Sequence, residues 1–305
     1  MNRPAEHLAP PVFDAPDDPV RRELREKLGI ERFLSAREAF RIGPEGVHCE
    51  YYHHSDASPL ILFLPGIGTY SELYAELLAS VSARGFNVVG VDPRGHGYSD
   101  GRRGEYTVDQ TVCDLERVVS ALLPRSNGKV GVYGYSIGAM LAVALAECDA
   151  RIGSVLCGTL LLTEVPPDML HQAGWFWTWG SAQLFPSLRL PLRSFIDFDT
   201  LLAGNPAGEA INDDHRVVFD YPLSTLSSLF THRAGVASQQ YDFKAGIIQG
   251  EHDEVLSVEY TRRVLEALVH PFEWIRVPGE GHMIPWDNPE QLTVLVCDWF
   301  QRTLD

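Results

Sequence analysis

The sequence predicts an α/β fold, with a mostly parallel, doubly wound sheet and an inserted helical segment. Three observations carry that expectation. Short apolar runs such as Leu60-Ile61-Leu62-Phe63-Leu64 stop at Pro65-Gly66, as strands buried on both faces do. Such runs alternate with stretches of helical period through the first half of the chain and again near its end. Between them, over about residues 163–237, the alternation gives way to a proline-broken segment rich in aromatic rings.

Residues 1–18 are rich in proline and acids and are assigned no regular structure. Residues 20–40 have helical spacing with alternating charges, which predicts a leading helix. Strands follow at 47–52 and 60–64, a helix at 71–84, a strand at 86–91, a helix at 108–122 and a strand at 129–135. A further helix begins after Ser136 and another strand covers 152–157, with right-handed crossovers expected between parallel neighbours. Pro166-Pro167, Pro186, Pro191 and Pro206 interrupt the next segment, which predicts a helical cap at 163–237. A strand at 245–249, a helix at 258–268, a strand at 272–277 and a closing helix at 289–303 complete the pattern. The predicted organisation is a tail and helix at 1–42, a core formed by 43–162 and 238–305, and the cap between the two core pieces.

The formal charge is −16, and only Lys27, Lys129 and Lys244 are lysines, with no basic run that could follow a phosphate backbone. Nucleic acid is therefore not an expected partner, and a neutral small-molecule substrate fits best. Five cysteines, Cys49, Cys113, Cys148, Cys157 and Cys297, are odd in number and far apart, so free, buried thiols are expected. The first 18 residues lack a basic start followed by an apolar stretch, and no apolar run reaches spanning length. These features predict a cytoplasmic protein without stable membrane insertion. Oligomeric state leaves no trace in the sequence.

The chemistry centres on Gly134-Tyr135-Ser136-Ile137-Gly138, placed where a predicted strand meets a predicted helix. A serine on so tight a turn takes strained backbone angles, and the flanking glycines let strand and helix close on each other. Such a serine needs a base and an acid, which in this order of elements follow on later loops. Gly250-Glu251-His252-Asp253-Glu254 succeeds one strand and Pro278-Gly279-Glu280-Gly281-His282 succeeds the next. Ligands of open parallel sheets bind at those carboxyl ends. The predicted assignment is Ser136 as nucleophile, His282 as general base and Asp253 as its orienting acid, with Glu251, Glu254 and Glu164 as rivals for the acid. The N–H groups of Ile137 and of Ile67, in Pro65-Gly66-Ile67-Gly68-Thr69, are the expected oxyanion donors.

Together these residues resemble the α/β-hydrolase superfamily, and the likeness runs from about residue 60 to residue 300. Asp92-Pro93-Arg94-Gly95-His96-Gly97-Tyr98-Ser99-Asp100-Gly101 is similar to a loop of the monoacylglycerol lipase and lysophospholipase group. The resemblance implies the α/β-hydrolase fold, an acyl-serine mechanism, and a supporting rather than chemical role for residues 94–99. Members that use an aspartate at the elbow, such as epoxide hydrolases and haloalkane dehalogenases, do not fit Ser136. Thioesterases, amidases, cofactor-free haloperoxidases and carbon–carbon bond hydrolases share the serine and stay open, as does a non-catalytic ligand binder on the same scaffold.

Trp175, Trp177, Trp179 and Phe185 lie in the inserted segment, over the place expected for the serine, and are the expected substrate-binding residues for a hydrophobic acyl chain. No spacing suits a metal, His53-His54 reads as solvated, and no cofactor is implied.

Overall fold

The computed structural model describes residues 19–193, 196–205 and 207–304. The expectations for the proline-rich start at 1–18, and for Pro206 within the inserted segment, lie outside the described residues. Two short helices lead, α1 (Pro19–Leu28) and α2 (Glu31–Leu34), followed by β1 (Glu38–Ile42), β2 (Val47–Tyr52) and β3 (Leu60–Leu64). Next come α3 (Ala75–Ala83), β4 (Asn87–Val91), α4 (Val108–Leu122), β5 (Val130–Tyr135), α5 (Ile137–Cys148) and β6 (Ile152–Gly158). The stretch up to β9 holds α6 (Met169–Leu184), β7 (Arg189–Pro191), α7 (Phe198–Leu201), α8 (Ala207–Asp213), β8 (Asp220–Pro222) and α9 (Leu223–Thr231). The chain closes with β9 (Lys244–Gly250), α10 (Val258–Ala267), β10 (Phe272–Val277), α11 (Ile284–Asp287) and α12 (Pro289–Thr303).

Eight strands form one sheet in the order β1-β2-β4-β3-β5-β6-β9-β10. The pairs β1/β2 and β2/β4 are antiparallel and the rest are parallel. Every residue of β3 and β5 is buried. That is why their sequences are continuous apolar runs rather than alternating ones. One core lies between the sheet and α4, α5 and α10, through residues such as Val118, Met140 and Val264. The other lies under α3 and α12, through Leu77, Val81, Val296 and Phe300. Helices thus cover both faces, as a doubly wound sheet requires. From β3 the chain passes to β4 on one side and then to β5 on the other, which opens a crevice beyond the carboxyl ends of β3 and β5.

The leading region differs from the expectation. Helix stops at Leu34, and residues 38–42 form an edge strand paired with β2. Phe40 and Ile42 are buried while Arg41 between them is only half-buried, a two-residue period too short to stand out beside the preceding helical spacing. Glu72 anchors this region. It is fully buried and bonded to Arg21, to Arg25 at 2.9 Å and to Arg37 at 3.2 Å. Between β6 and β9, where the sequence predicted a helical cap, the chain also carries a feature the sequence did not suggest, an antiparallel ribbon of β7 and β8. Among the described residues no helix is long and apolar enough to cross a membrane.

Candidate active site

β5 delivers Ser136 directly onto the first turn of α5. The serine has φ 55° and ψ −121°, a left-handed strain that a non-glycine residue keeps only when its surroundings force it. Its N–H donates to the Gly158 carbonyl at 2.9 Å, which extends the β5–β6 ladder by one residue and locks the turn. A Cβ at Gly134 would collide with the Gly138 carbonyl, and one at Gly138 would collide with the carbonyls of Leu64 and Pro65. Both glycines are therefore required by close approach of strand, helix and the loop after β3. Ser136 itself is half-buried.

Asp253 and His282 lie on the loops after β9 and β10. The Asp253 side chain is fully buried, and its Oδ1 accepts the N–H groups of Val255 and Leu256 at 2.9 and 2.8 Å. Its Oδ2 lies 2.9 Å from His282 Nδ1. A carboxylate can only accept, so Nδ1 carries a proton and, in the neutral ring, Nε2 has the lone pair. The two loops are stitched together: His252 N–H donates to Glu280 O at 2.8 Å, and a Cβ at Gly250 would lie 2.5 Å from the Gly281 carbonyl oxygen. Tyr135, next to the serine, donates its hydroxyl to the His282 carbonyl at 2.7 Å and so ties the elbow to the histidine loop. Among the described residues Ser136 Oγ and His282 Nε2 form no hydrogen bond.

The loop after β3 faces the start of α5. Thr69 donates to the Gly66 carbonyl twice, through its N–H at 3.1 Å and its hydroxyl at 2.8 Å. Tyr74 OH lies 2.8 Å from Thr69 Oγ1 and accepts the Gly66 N–H at 3.3 Å. Among the described residues the N–H groups of Ile67 and Ile137 have no acceptor. For Ile137 this follows from its place at the first position of a helix.

The remaining candidates divide clearly. Glu251 sits 3.8 Å from Arg276, Glu164 accepts the Ala234 N–H at 2.8 Å, and Glu254 is exposed, so only Asp253 of the four carboxylates meets His282. His96 is buried and held by the Tyr221 hydroxyl at 2.6 Å and the Arg94 carbonyl at 3.0 Å, and burial brings its pKa down to about 4. In the same loop Asp92 accepts the N–H groups of Ser71 at 2.8 Å and Tyr98 at 3.0 Å. His53 is exposed and pairs with Asp56. All five cysteines are free, but Cys113 and Cys148 are exposed rather than buried, since helical position and not residue type sets their faces. Among the described residues no cluster of His, Cys, Asp and Glu could hold a metal ion.

The aromatic residues occupy α6 and its end. Trp175 stacks on Phe230 of α9, with centroids 5.5 Å apart and planes at 13°. Trp177, Trp179 and Phe185 are exposed at 53%, 45% and 60%. Helix α6 carries no charged residue and buries only Thr178 and Ala182. Sequence reasoning missed Tyr135, Tyr74 and Tyr70. Their positions read as ordinary core aromatics, and no spacing announces a buried hydroxyl with a polar task.

A largely parallel sheet, helices on both faces and a strained serine turn at its crevice define an α/β hydrolase. The chain matches the family model described as serine aminopeptidase, S33 (Hydrolase_4), over residues 55–288, and it belongs to that family. A 2-hydroxy-6-oxo-6-(2'-aminophenyl)hexa-2,4-dienoic acid hydrolase of Metapseudomonas resinovorans is 23% identical over 306 residues, covering 93% of this chain and 95% of that protein. A monoacylglycerol lipase of Paleococcus ferrophilus shares the fold at TM-score 0.67 and 22% identity, covering 83% of this chain and 99% of its own. A soluble variant of monoglyceride lipase from Saccharomyces cerevisiae, solved with a substrate analog, gives 0.68 at 15% identity, covering 88% and 96%.

Proposed function

We propose that the chain is a serine hydrolase that cleaves carboxylic esters through an acyl-enzyme on Ser136. The observation that carries this is the serine at positive φ on the β5–α5 turn, beside a histidine whose Nδ1 is held by a buried carboxylate. His282 Nε2 takes the hydroxyl proton as Ser136 Oγ attacks the acyl carbon. The Ile67 and Ile137 N–H groups stabilise the resulting oxyanion. Collapse expels the alcohol, which receives the proton from His282. Water then repeats the sequence on the acyl-serine and releases the acid. Asp253 stabilises the imidazolium formed in both halves.

The substrate class proposed is an ester with a hydrophobic acyl chain, of the monoacylglycerol or lysolipid type. Support comes from α6, whose uncharged sequence places Trp177, Trp179 and Phe185 in the segment proposed as a cap over residues 43–162 and 238–305. Free thiols, three of them buried, support a cytoplasmic setting. A second reading, cleavage of a carbon–carbon bond in a dienoic acid, is favoured by the full-length likeness to the Metapseudomonas hydrolase. A panel of nitrophenyl esters from acetate upward, run with thioesters, amides and a dienoic acid beside Ser136→Ala, separates them. Rising kcat/KM with acyl length supports the ester reading, whereas turnover of acetate alone contradicts the hydrophobic-chain assignment.

A further inference from the structure

The inserted segment reaches the loop that carries Ile67, and the contact is made of peptide planes. Val218 donates its N–H to the Gly68 carbonyl at 2.9 Å. That carbonyl shares one rigid plane with the Thr69 N–H, pointing the opposite way. The Thr69 N–H donates to the Gly66 carbonyl at 3.1 Å. The Gly66 carbonyl in turn shares its plane with the Ile67 N–H. Fixing Val218 therefore fixes the direction of the Ile67 donor through two linked amides, and each bond in such a chain polarises the next. Gly68 permits the approach, since it has φ +75° and a Cβ there would lie 2.5 Å from the Val218 carbonyl oxygen.

Val218 is itself held from the loop's own continuation. Asp214 and Tyr70 are buried at 2% and 0% exposure. The Tyr70 hydroxyl donates to Asp214 Oδ2. The other oxygen of Asp214 accepts the Arg216 N–H at 3.0 Å and lies 3.6 Å from Arg216 Nη1. Val217 N–H closes the turn on the Asp214 carbonyl at 3.0 Å, so the chain leaves it aimed at Gly68. A buried phenol and a buried carboxylate, 144 residues apart, thus brace the two backbones that meet at Gly68 and Val218.

We infer that Asp214 and Tyr70 are positioning residues for the oxyanion donor at Ile67, acting through the Val218–Gly68–Thr69–Gly66 hydrogen-bond chain. The inference rests on the serine-hydrolase reading proposed above and extends it: the inserted segment completes the oxyanion hole as well as covering the site. Loosening the brace lowers stabilisation of the charged transition state and leaves ground-state binding alone.

The test uses Tyr70→Phe, Asp214→Asn and the double variant of the full chain, with Ser136→Ala in parallel. Measured are kcat and KM on a nitrophenyl ester, and inhibition by an alkyl trifluoromethyl ketone, which forms an anionic adduct with an active serine. Each single variant is expected to lose about 10-fold in kcat, less than the roughly 100- to 1,000-fold loss of a whole oxyanion donor, with KM within about 2-fold. Ketone affinity falls by the same factor as kcat/KM, and the double variant is no worse than the poorer single one. If Asp214→Asn fails to fold, judged by its melting curve, Tyr70→Phe carries the test alone. Unchanged kcat and ketone affinity in Tyr70→Phe, or a rise in KM alone, overturns the inference while Ser136→Ala inactivity keeps the hydrolase reading. Turnover retained by Ser136→Ala overturns both.

Discussion

Asp253 Oδ2 and His282 Nδ1 meet at 2.9 Å across 29 residues of chain, at the ends of two adjacent strands. Replacing Asp253 with Asn swaps an acceptor for a group that can also donate, which permits the wrong histidine tautomer. Asp253→Asn is expected to lower kcat on a nitrophenyl ester by about 1,000-fold or more with little change in KM. Steady-state kinetics check this, and a loss below about 10-fold would assign the orienting role elsewhere.

Gly138 offers a prediction about the elbow itself. A Cβ there runs into the Leu64 and Pro65 carbonyls, so Gly138→Ala must push α5 away from the loop after β3. Overpacking of this kind costs about 1–3 kcal/mol. The variant is expected to melt at lower temperature and to lose more activity than stability, because the same shift separates the Ile67 and Ile137 N–H groups proposed as oxyanion donors. Calorimetry and kcat on one preparation check both parts.

Glu72 makes a pH prediction. Burial alone would raise its carboxyl; the hydrogen bond from Arg25 and the charges of Arg21 and Arg37 outweigh it and bring the pKa down to about 2. An unfolded glutamate titrates at about 4.3. Because the folded value is the lower one, the stabilisation is complete above the unfolded pKa and disappears as pH falls through about 2. Melting temperature should therefore fall between about pH 5 and pH 2, more steeply in the native protein than in Glu72→Gln. At neutral pH the variant, which removes the buried carboxylate shared by Arg21, Arg25 and Arg37, is expected to lose about 3 kcal/mol.

The exposed rings of α6 give a fourth prediction. Trp177 and Phe185 are 53% and 60% exposed, so replacing both with Ser should change stability by no more than about 0.5 kcal/mol each. If they meet the acyl chain, kcat/KM for a long-chain ester drops by about 10-fold while the acetate rate is unchanged. Equal effects on both esters would remove α6 from substrate binding.

The sheet was legible because its strands are buried on both faces. β3 and β5 are continuous apolar runs with glycine or proline at their ends, and the amphipathic α4 and α12 match their predicted bounds of 108–122 and 289–303. β1 escaped because five residues of period two follow directly on a helical pattern. The ribbon of β7 and β8 escaped because three-residue strands bounded by proline leave no periodic signal. That Ser136, Asp253 and His282 follow β5, β9 and β10 was readable because each of those strands could be bounded in the sequence. The hydrogen bonds that join Tyr135 to His282 and Asp214 to Tyr70 could not be read, since they link residues distant in sequence whose local patterns are those of ordinary core and turn. Which face Trp177 and Trp179 present was equally hidden. Helical spacing gives relative directions on α6, not what the rest of the fold places opposite.

The central claim is that Ser136 is the nucleophile. It is tested most directly by treating the purified full chain with an alkyl fluorophosphonate, which phosphonylates only an activated serine, and mapping the adduct by peptide mass spectrometry. The account predicts one adduct per chain, on Ser136, absent from both Ser136→Ala and His282→Ala. An adduct on another residue, or an unmodified chain after prolonged exposure, would contradict it.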